Sequence, residues 1–260
     1  MSAVDIEAFV HDLARLSGEA ILPFFRSSIG VDNKAAPGAF DPVTEGDRAG
    51  EAAMRQLIKR TFPAHGIIGE EYGSENEDAE HVWVLDPIDG TRAFIAGIPV
   101  WGTLIGLARA GAPAFGMMHQ PFTREKFWGD GARAHYAGPA GDRALRVRPC
   151  AALASATIMT TSPSLFKADE KPRFDALEAQ CRTYRYGADC YAYCMVAAGQ
   201  VDLVVEAGLK PYDIMALIPI IEGAGGIVTS WDGGTAATGG RILAAGDKRI
   251  HEQAMAVLNG

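Results

Sequence analysis

The stretch from His81 to Arg92 constrains the fold more than any other part of this chain. Trp83-Val84-Leu85 has the aromatic and branched content of a buried strand, and the apolar run ends abruptly in Asp86-Pro87-Ile88-Asp89-Gly90-Thr91. Pro87 is expected to stop the strand, so that Asp86 and Asp89 emerge where the chain turns. Two carboxylates on one short turn either repel each other or share cations. Sixteen residues upstream of Asp86, Glu70-Glu71 follows the short apolar segment Ile67-Ile68-Gly69, and far downstream Lys210-Pro211-Tyr212-Asp213 opens a long apolar run. Oxygen-only ligand sets of this kind favour hard ions such as Mg²⁺ or Mn²⁺.

At 260 residues, 48% hydrophobic and 22% charged, the composition is that of a soluble globular protein with one large domain or two small ones. The formal charge of -8 argues against a sequence-independent hold on a nucleic acid, which needs a basic face. A small phosphorylated metabolite is compatible with that charge if metal ions supply the positive partner. The N-terminal Met1-Ser2-Ala3-Val4-Asp5-Ile6-Glu7 lacks a basic segment followed by an apolar core. No run approaches the roughly 18 apolar residues of a membrane span, so a cytoplasmic protein is expected. Cys150, Cys181, Cys190 and Cys194 lack paired zinc-ligand spacing and are expected to be reduced packing residues. Trp101, Trp128, Tyr191 and Tyr193 have apolar neighbours and no basic surround, which favours packing over base stacking.

Apolar residues at Ile6, Phe9, Val10, Leu13, Leu16, Ile21, Leu22 and Phe25 predict a helix from Asp5 to about Ser27, kinked near Pro23. A Gly/Pro-containing loop leads to Thr44-Glu45-Gly46-Asp47, which has the spacing of a helix-capping box. From Trp101 to Trp128, short apolar runs alternate with turns, predicting consecutive antiparallel strands and an α+β first half. Beyond Arg143, strands at 156–160, 183–186, 202–205, 226–229 and 242–245 alternate with helices around 188–198, 213–223 and 247–258. That alternation predicts an α/β second half, giving parts 1–145 and 146–260 with a soft boundary.

The acidic pair, the intervening hydrophobic residue, the Asp-Gly-Thr and the distant Asp before a helix resemble the signature of the inositol monophosphatase superfamily. The match falls on Asp86-Pro87-Ile88-Asp89-Gly90-Thr91 and Tyr212-Asp213, and the likeness runs from Asp41 to Thr229. The histidinol-phosphate phosphatase branch is the most similar, through residues 90–95, 101–105, 186–193 and 206–213. The resemblance implies a layered α-β-α-β-α sandwich, a homodimer, and a Mg²⁺-dependent phosphomonoesterase with two or three ions per site, Mn²⁺ being an alternative. It implies that Glu70, Asp86 and the carbonyl of Ile88 hold one ion, and that Asp86, Asp89 and Asp213 hold a second.

By the same resemblance Gly90 and Thr91 receive the phosphate, where a short helix would aim free N–H groups at an anion. Thr91, oriented by Asp47, would be the partner of the attacking water, with Glu70 assisting through the metal. Asp47 is otherwise a plain helix cap, and Glu71 either supports the ligands or is solvated. The chain has neither a Cys-x5-Arg loop nor an Asp-x-Asp nucleophile motif, so direct attack by water is expected. Arg92, Asp189 and Glu206 are the expected substrate contacts. Asp189 could instead cap a helix, and Glu206 could be a strand-end charge. Histidinol phosphate, in histidine biosynthesis, is the leading substrate. An inositol monophosphatase or broad small-molecule phosphatase is the alternative, followed by a catalytically silent phosphometabolite-binding protein. A phosphatase of adenosine 3',5'-bisphosphate fits less well, because Arg92-Ala93-Phe94 stands where that pattern has Lys-Glu-Phe.

Overall fold

A computed structural model describes residues 5–27, 31–33 and 42–260. The Gly/Pro-containing loop (28–30 and 34–41), with Asp41 where the resemblance begins, and residues 1–4 lie outside the described residues. The chain runs through α1 (Ile6–Ile21), β1 (Val31–Asn33), β2 (Pro42–Thr44), α2 (Glu45–Thr61), β3 (Gly66–Gly69), β4 (Gly73–Glu75), β5 (His81–Asp89) and α3 (Thr91–Ile95). Five strands follow: β6 (Gly102–Arg109), β7 (Ala112–Gln120), β8 (Glu125–Gly129), β9 (Ala134–Ala137) and β10 (Arg143–Ala144). Then come β11 (Thr157–Thr160), α4 (Glu170–Glu178), β12 (Thr183–Tyr186), α5 (Asp189–Ala197) and β13 (Leu203–Leu209). The last elements are α6 (Pro211–Ile214), α7 (Leu217–Gly223), β14 (Ile227–Ser230), β15 (Gly240–Ala245) and α8 (Lys248–Asn259).

Among the described residues, an eight-stranded sheet has the order β10-β9-β8-β7-β6-β5-β3-β4 and a five-stranded sheet the order β12-β11-β13-β15-β14, with β1 and β2 forming a separate pair. The period-two alternation of side chains decides what lies between them. On β5 and β6, Trp83, Leu85, Ile105 and Leu107 face Phe9, Val10, Leu13, Met54 and Ile58 of α1 and α2. The opposite face, with Val82, Val84 and Leu104, packs on Cys190, Tyr193, Cys194, Leu217 and Ile221 of α5 and α7, which also meet Val204, Ile242 and Ala244 of the second sheet. Leu203, Val205, Leu243 and Ala245 point outward onto Phe174 and Leu177 of α4 and Ile250, Ala254 and Leu258 of α8. The layers are therefore α-β-α-β-α.

Three boundaries differ from the sequence reading. The first helix ends at Ile21 and passes into a 3₁₀ turn, Leu22–Phe24, in which Pro23 takes an early position where no N–H is needed. The helix expected over 213–223 is two pieces, α6 and α7, separated at Met215-Ala216. Pro219 explains the break, because its ring cannot donate to the Met215 carbonyl four residues earlier and crowds it. Pro87, finally, does not end its strand: β5 continues to Asp89.

All four cysteines are free. Cys190 and Cys194 are buried between the sheets, and burial pushes both thiols well above the ordinary cysteine range. They are inert packing groups.

Candidate active site

The site begins with an irregularity. β5 pairs Asp86 with Leu104 and Asp89 with Gly102, so Pro87 and Ile88 together oppose the single residue Thr103. This is a β-bulge, and Pro87 fits it because the ladder needs no N–H there. Thr103 Oγ1 instead donates to the Pro87 carbonyl at 2.8 Å. In a regular strand, residues three apart face opposite sides. The extra residue puts Asp86 and Asp89 on the same side, while Ile88 turns into a cluster with Ile21, Phe25, Phe94 and Trp101.

Asp86, Asp89 and Asp213 each offer an oxygen, and these oxygens lie within 4.8 Å of one another. Asp213 arrives from the other sheet: it follows β13 and holds the start of α6 by accepting from Lys210 N at 2.6 Å. Asp89 Oδ2 accepts from Cys190 N, at the start of α5, at 2.6 Å. Asp86 Oδ1 accepts from Ile88 N at 3.0 Å. Burial, then the charges of Glu70, Asp89 and Asp213, raise the Asp86 carboxyl well above the carboxylate range. Burial, then Asp189 and Asp213, do the same to Asp89. Three carboxylate oxygens this close are the hard donor set a divalent cation takes, and its charge would relieve this repulsion.

Beside it, Asp47, Glu70 and Glu71 bring oxygens within 4.8 Å of one another. Glu71 thus sits with the acidic cluster rather than standing alone in solvent. Glu70 N donates to the Leu85 carbonyl at 3.2 Å, which sets Glu70 next to Asp86. Asp47 forms the expected capping box: its Oδ2 accepts from Thr44 N at 2.8 Å and Thr44 Oγ1 at 2.6 Å. Burial pushes its carboxyl up to about 7, against those hydrogen bonds and with the help of Glu71 and Glu70.

No direct hydrogen bond joins Asp47 to Thr91, which it is expected to orient. Thr91 Oγ1 donates to the Ile88 carbonyl at 3.1 Å, and Asp47 Oδ1 is buried without a hydrogen-bond partner. The Ile88 carbonyl, an expected metal ligand, is here engaged by Thr91.

Gly90 begins α3 with φ +88°, in the left-handed region. A Cβ at Gly90 would lie 3.1 Å from Asp189 Oδ2. Asp189 does not cap α5, and itself adopts φ +42°. Burial raises its carboxyl, opposed by the Thr161 side chain and the Arg92 charge. Glu206, 2% exposed, accepts from Thr161 N at 2.5 Å, and burial pushes it up to about 7, opposed by Thr161 and reinforced by the Asp189 charge. A cavity of about 300 Å³ is lined by Asp89, Thr91, Arg92, Asp189, Glu206 and Asp213. The structure therefore gathers Gly90, Thr91, Arg92, Asp189 and Glu206 around one pocket beside the acidic trio. Thr161, which ties Glu206 to Asp189 from the end of β11, carries no sequence signal. Trp101 is fully buried, Tyr193 nearly so, and Trp128 and Tyr191 donate to Glu7 and Glu125, so these aromatics pack as expected.

The profile of the Inositol monophosphatase family matches residues 3–259. The chain belongs to that family. It is a phosphomonoesterase, and the family's metal dependence agrees with the two acidic clusters. The chain is 42% identical over 255 residues to the chloroplastic bifunctional phosphatase IMPL2 of Arabidopsis thaliana, covering 94% of this chain and 72% of the relative. It is 35% identical over 221 residues to a histidinol-phosphatase of Mycobacterium tuberculosis, covering 84% and 85%. Within the family's solved structures, an inositol monophosphatase from Zymomonas mobilis superposes with a TM-score of 0.86 at 40% identity, covering 97% of each chain.

Proposed function

We propose that this family member is a Mg²⁺-dependent histidinol-phosphate phosphatase, releasing histidinol and phosphate for histidine biosynthesis. The observation that carries the choice of substrate is the carboxylate pair Asp189 and Glu206, the latter buried, which lines the same pocket as Asp89 and Asp213 and is additional to the acidic trio. Histidinol phosphate has an ammonium and an imidazole that can be cationic. A wall of carboxylates beyond those that would hold metal suits it, and each charged hydrogen bond contributes about 1.5 to 3 kcal/mol. Histidinol-phosphatases among the relatives support the same reading.

Asp86, Asp89 and Asp213, with Glu70 alongside, would hold the divalent cations, and Mn²⁺ would fit the same oxygens. When bound, such ions neutralise the ester dianion, acidify a water and stabilise the departing oxygen. Gly90 leaves its face without a side chain, so that a phosphate can approach the start of α3 closely. That turn is the phosphate cradle. Thr91 donates its hydroxyl proton to the Ile88 carbonyl, which leaves its lone pairs to accept from the attacking water. Asp47, whose carboxyl clusters with Glu70 and Glu71 and whose Oδ1 is uncommitted, is a further acceptor.

A second reading, an inositol monophosphatase, is favoured by the likeness to the Zymomonas mobilis enzyme. Turnover of histidinol phosphate and inositol 1-phosphate under one Mg²⁺ concentration separates the two. A parent enzyme that prefers inositol 1-phosphate refutes the histidinol assignment and leaves the phosphatase. The homodimer belongs to the same proposal, and light scattering on the eluted protein checks it.

A further inference from the structure

Four charged residues, Asp47, Glu51, Arg55 and Lys59, recur every fourth position along α2 and so share one face of the helix. Asp47 belongs to the candidate site, but Glu51 and Arg55 lie beyond it and are nonetheless buried, at 0% and 5% exposed. They form an ion pair, with Arg55 Nε donating to Glu51 Oε1 at 2.7 Å. The same carboxylate takes the backbone of the turn that carries Glu70. Glu71 N donates to Glu51 Oε2 at 2.7 Å, and Tyr72 N to Oε1 at 3.2 Å. Arg55 closes the far side of that turn, donating from Nη2 to the Gly73 carbonyl and from Nη1 to Glu75 Oε1 at 2.9 Å. The fit leaves no room for a side chain at Gly69, where a Cβ would lie 2.0 Å from Glu51 Oε1.

This arrangement is costly if stability were its purpose, because a buried ion pair is often replaced by apolar residues with little loss. What it supplies is direction. Two consecutive N–H groups bound to one carboxylate fix the backbone through Glu70-Glu71-Tyr72, and hence where both glutamate side chains point. The pair is also neutral, so the clamp adds no net charge beside Asp47, Glu70, Glu71 and Asp86. We infer that Glu51 and Arg55 are positioning residues, a neutral buried clamp that holds the Glu70–Gly73 turn in the geometry that captures a divalent cation. The inference rests on the metal-dependent reading of the acidic clusters.

The test uses the full chain freed of metal, Mn²⁺ as the probe, and calorimetric titration. Glu51→Gln keeps the size of the side chain, but its amide must aim a donor at a backbone N–H or at the Arg55 guanidinium. Its expected signature is Mn²⁺ binding weakened at least about tenfold, or about 1.4 kcal/mol. Backbone hydrogen exchange at residues 70–73 should accelerate. The Mg²⁺ concentration for half-maximal rate should rise in step, while KM for substrate at saturating Mg²⁺ stays within about twofold. Arg55→Lys, which retains the charge but not the two-pronged reach, is the second variant, with a smaller loss in the same direction. Asp202→Asn, which breaks the distant pair with Arg148, serves as the control: it should lower the melting temperature and leave Mn²⁺ affinity unchanged. Parent-like Mn²⁺ affinity and exchange in Glu51→Gln overturn the clamp, as does an equal loss of affinity in Asp202→Asn. A parent that binds no Mn²⁺ overturns instead the metal reading beneath it.

Discussion

Replacing Glu206 by Gln separates what the fold tolerates from what the pocket uses. Glu206 is buried, and burial pushes its carboxyl from an ordinary 4.5 up to about 7. An acid that is weaker in the folded state binds more protons there, so stability falls as pH rises. The loss starts near 4.5 and is complete above about 7. At 1.36 kcal/mol per pH unit, that interval amounts to about 3 kcal/mol. Gln keeps an oxygen for the Thr161 N–H and removes the charge. In urea unfolding of the metal-free protein, the variant should exceed the parent by about 1 to 3 kcal/mol near pH 8.5, and by under about 0.5 kcal/mol near pH 4.5. Function should move the other way: kcat/KM for histidinol phosphate should fall by about 1.5 to 3 kcal/mol, with little change for a small uncharged phosphate ester. A stability difference that is the same at both pH values would refute the charge argument. Equal kinetic losses on both substrates would refute the role in the pocket.

Asp86→Asn should abolish hydrolysis in a folded protein, and EDTA should silence the parent until Mg²⁺ is returned; activity within about tenfold of the parent, ~1.4 kcal/mol of barrier, would remove Asp86 from the metal site. Thr91→Ala should lower kcat far more than it changes KM, since the hydroxyl is assigned to the attacking water; a rise in KM alone would make it a binding group. Gly90→Ala should lose about 1 to 2 kcal/mol of stability from its left-handed backbone and displace the Asp189 carboxylate; an unchanged urea midpoint would show that the turn relaxes freely.

Local chemistry made part of this site readable. Asp86, Asp89 and the Thr44–Asp47 box stand in short patterns whose meaning is set by neighbours in sequence. The bulge that aligns the two aspartates was not readable, because its register depends on Thr103 and Gly102 of the partner strand. The break before α7 was legible in Pro219 once that residue is counted against the carbonyl four positions back. The helix α4 escaped notice because it buries only Phe174 and Leu177 and contains Pro172, leaving little periodicity to detect. Asp189 and Glu206 could be named, but their meeting depends on Thr161 at the end of a third segment. Glu51 and Arg55 showed their four-residue spacing openly. Their use is visible only when the turn after β3 folds back onto α2.

The acidic trio draws two members from the eight-stranded sheet and the third from the turn that leaves β13 of the five-stranded one. Separating the sheets would dismantle it, whatever remained of either. On the proposed metal reading, ligation and the cohesion of the two layers would be one equilibrium. A cation present at one hundred times its dissociation constant would add about 2.7 kcal/mol to that cohesion. The trio would then act as a staple between layers, its strength set by the composition of the solution.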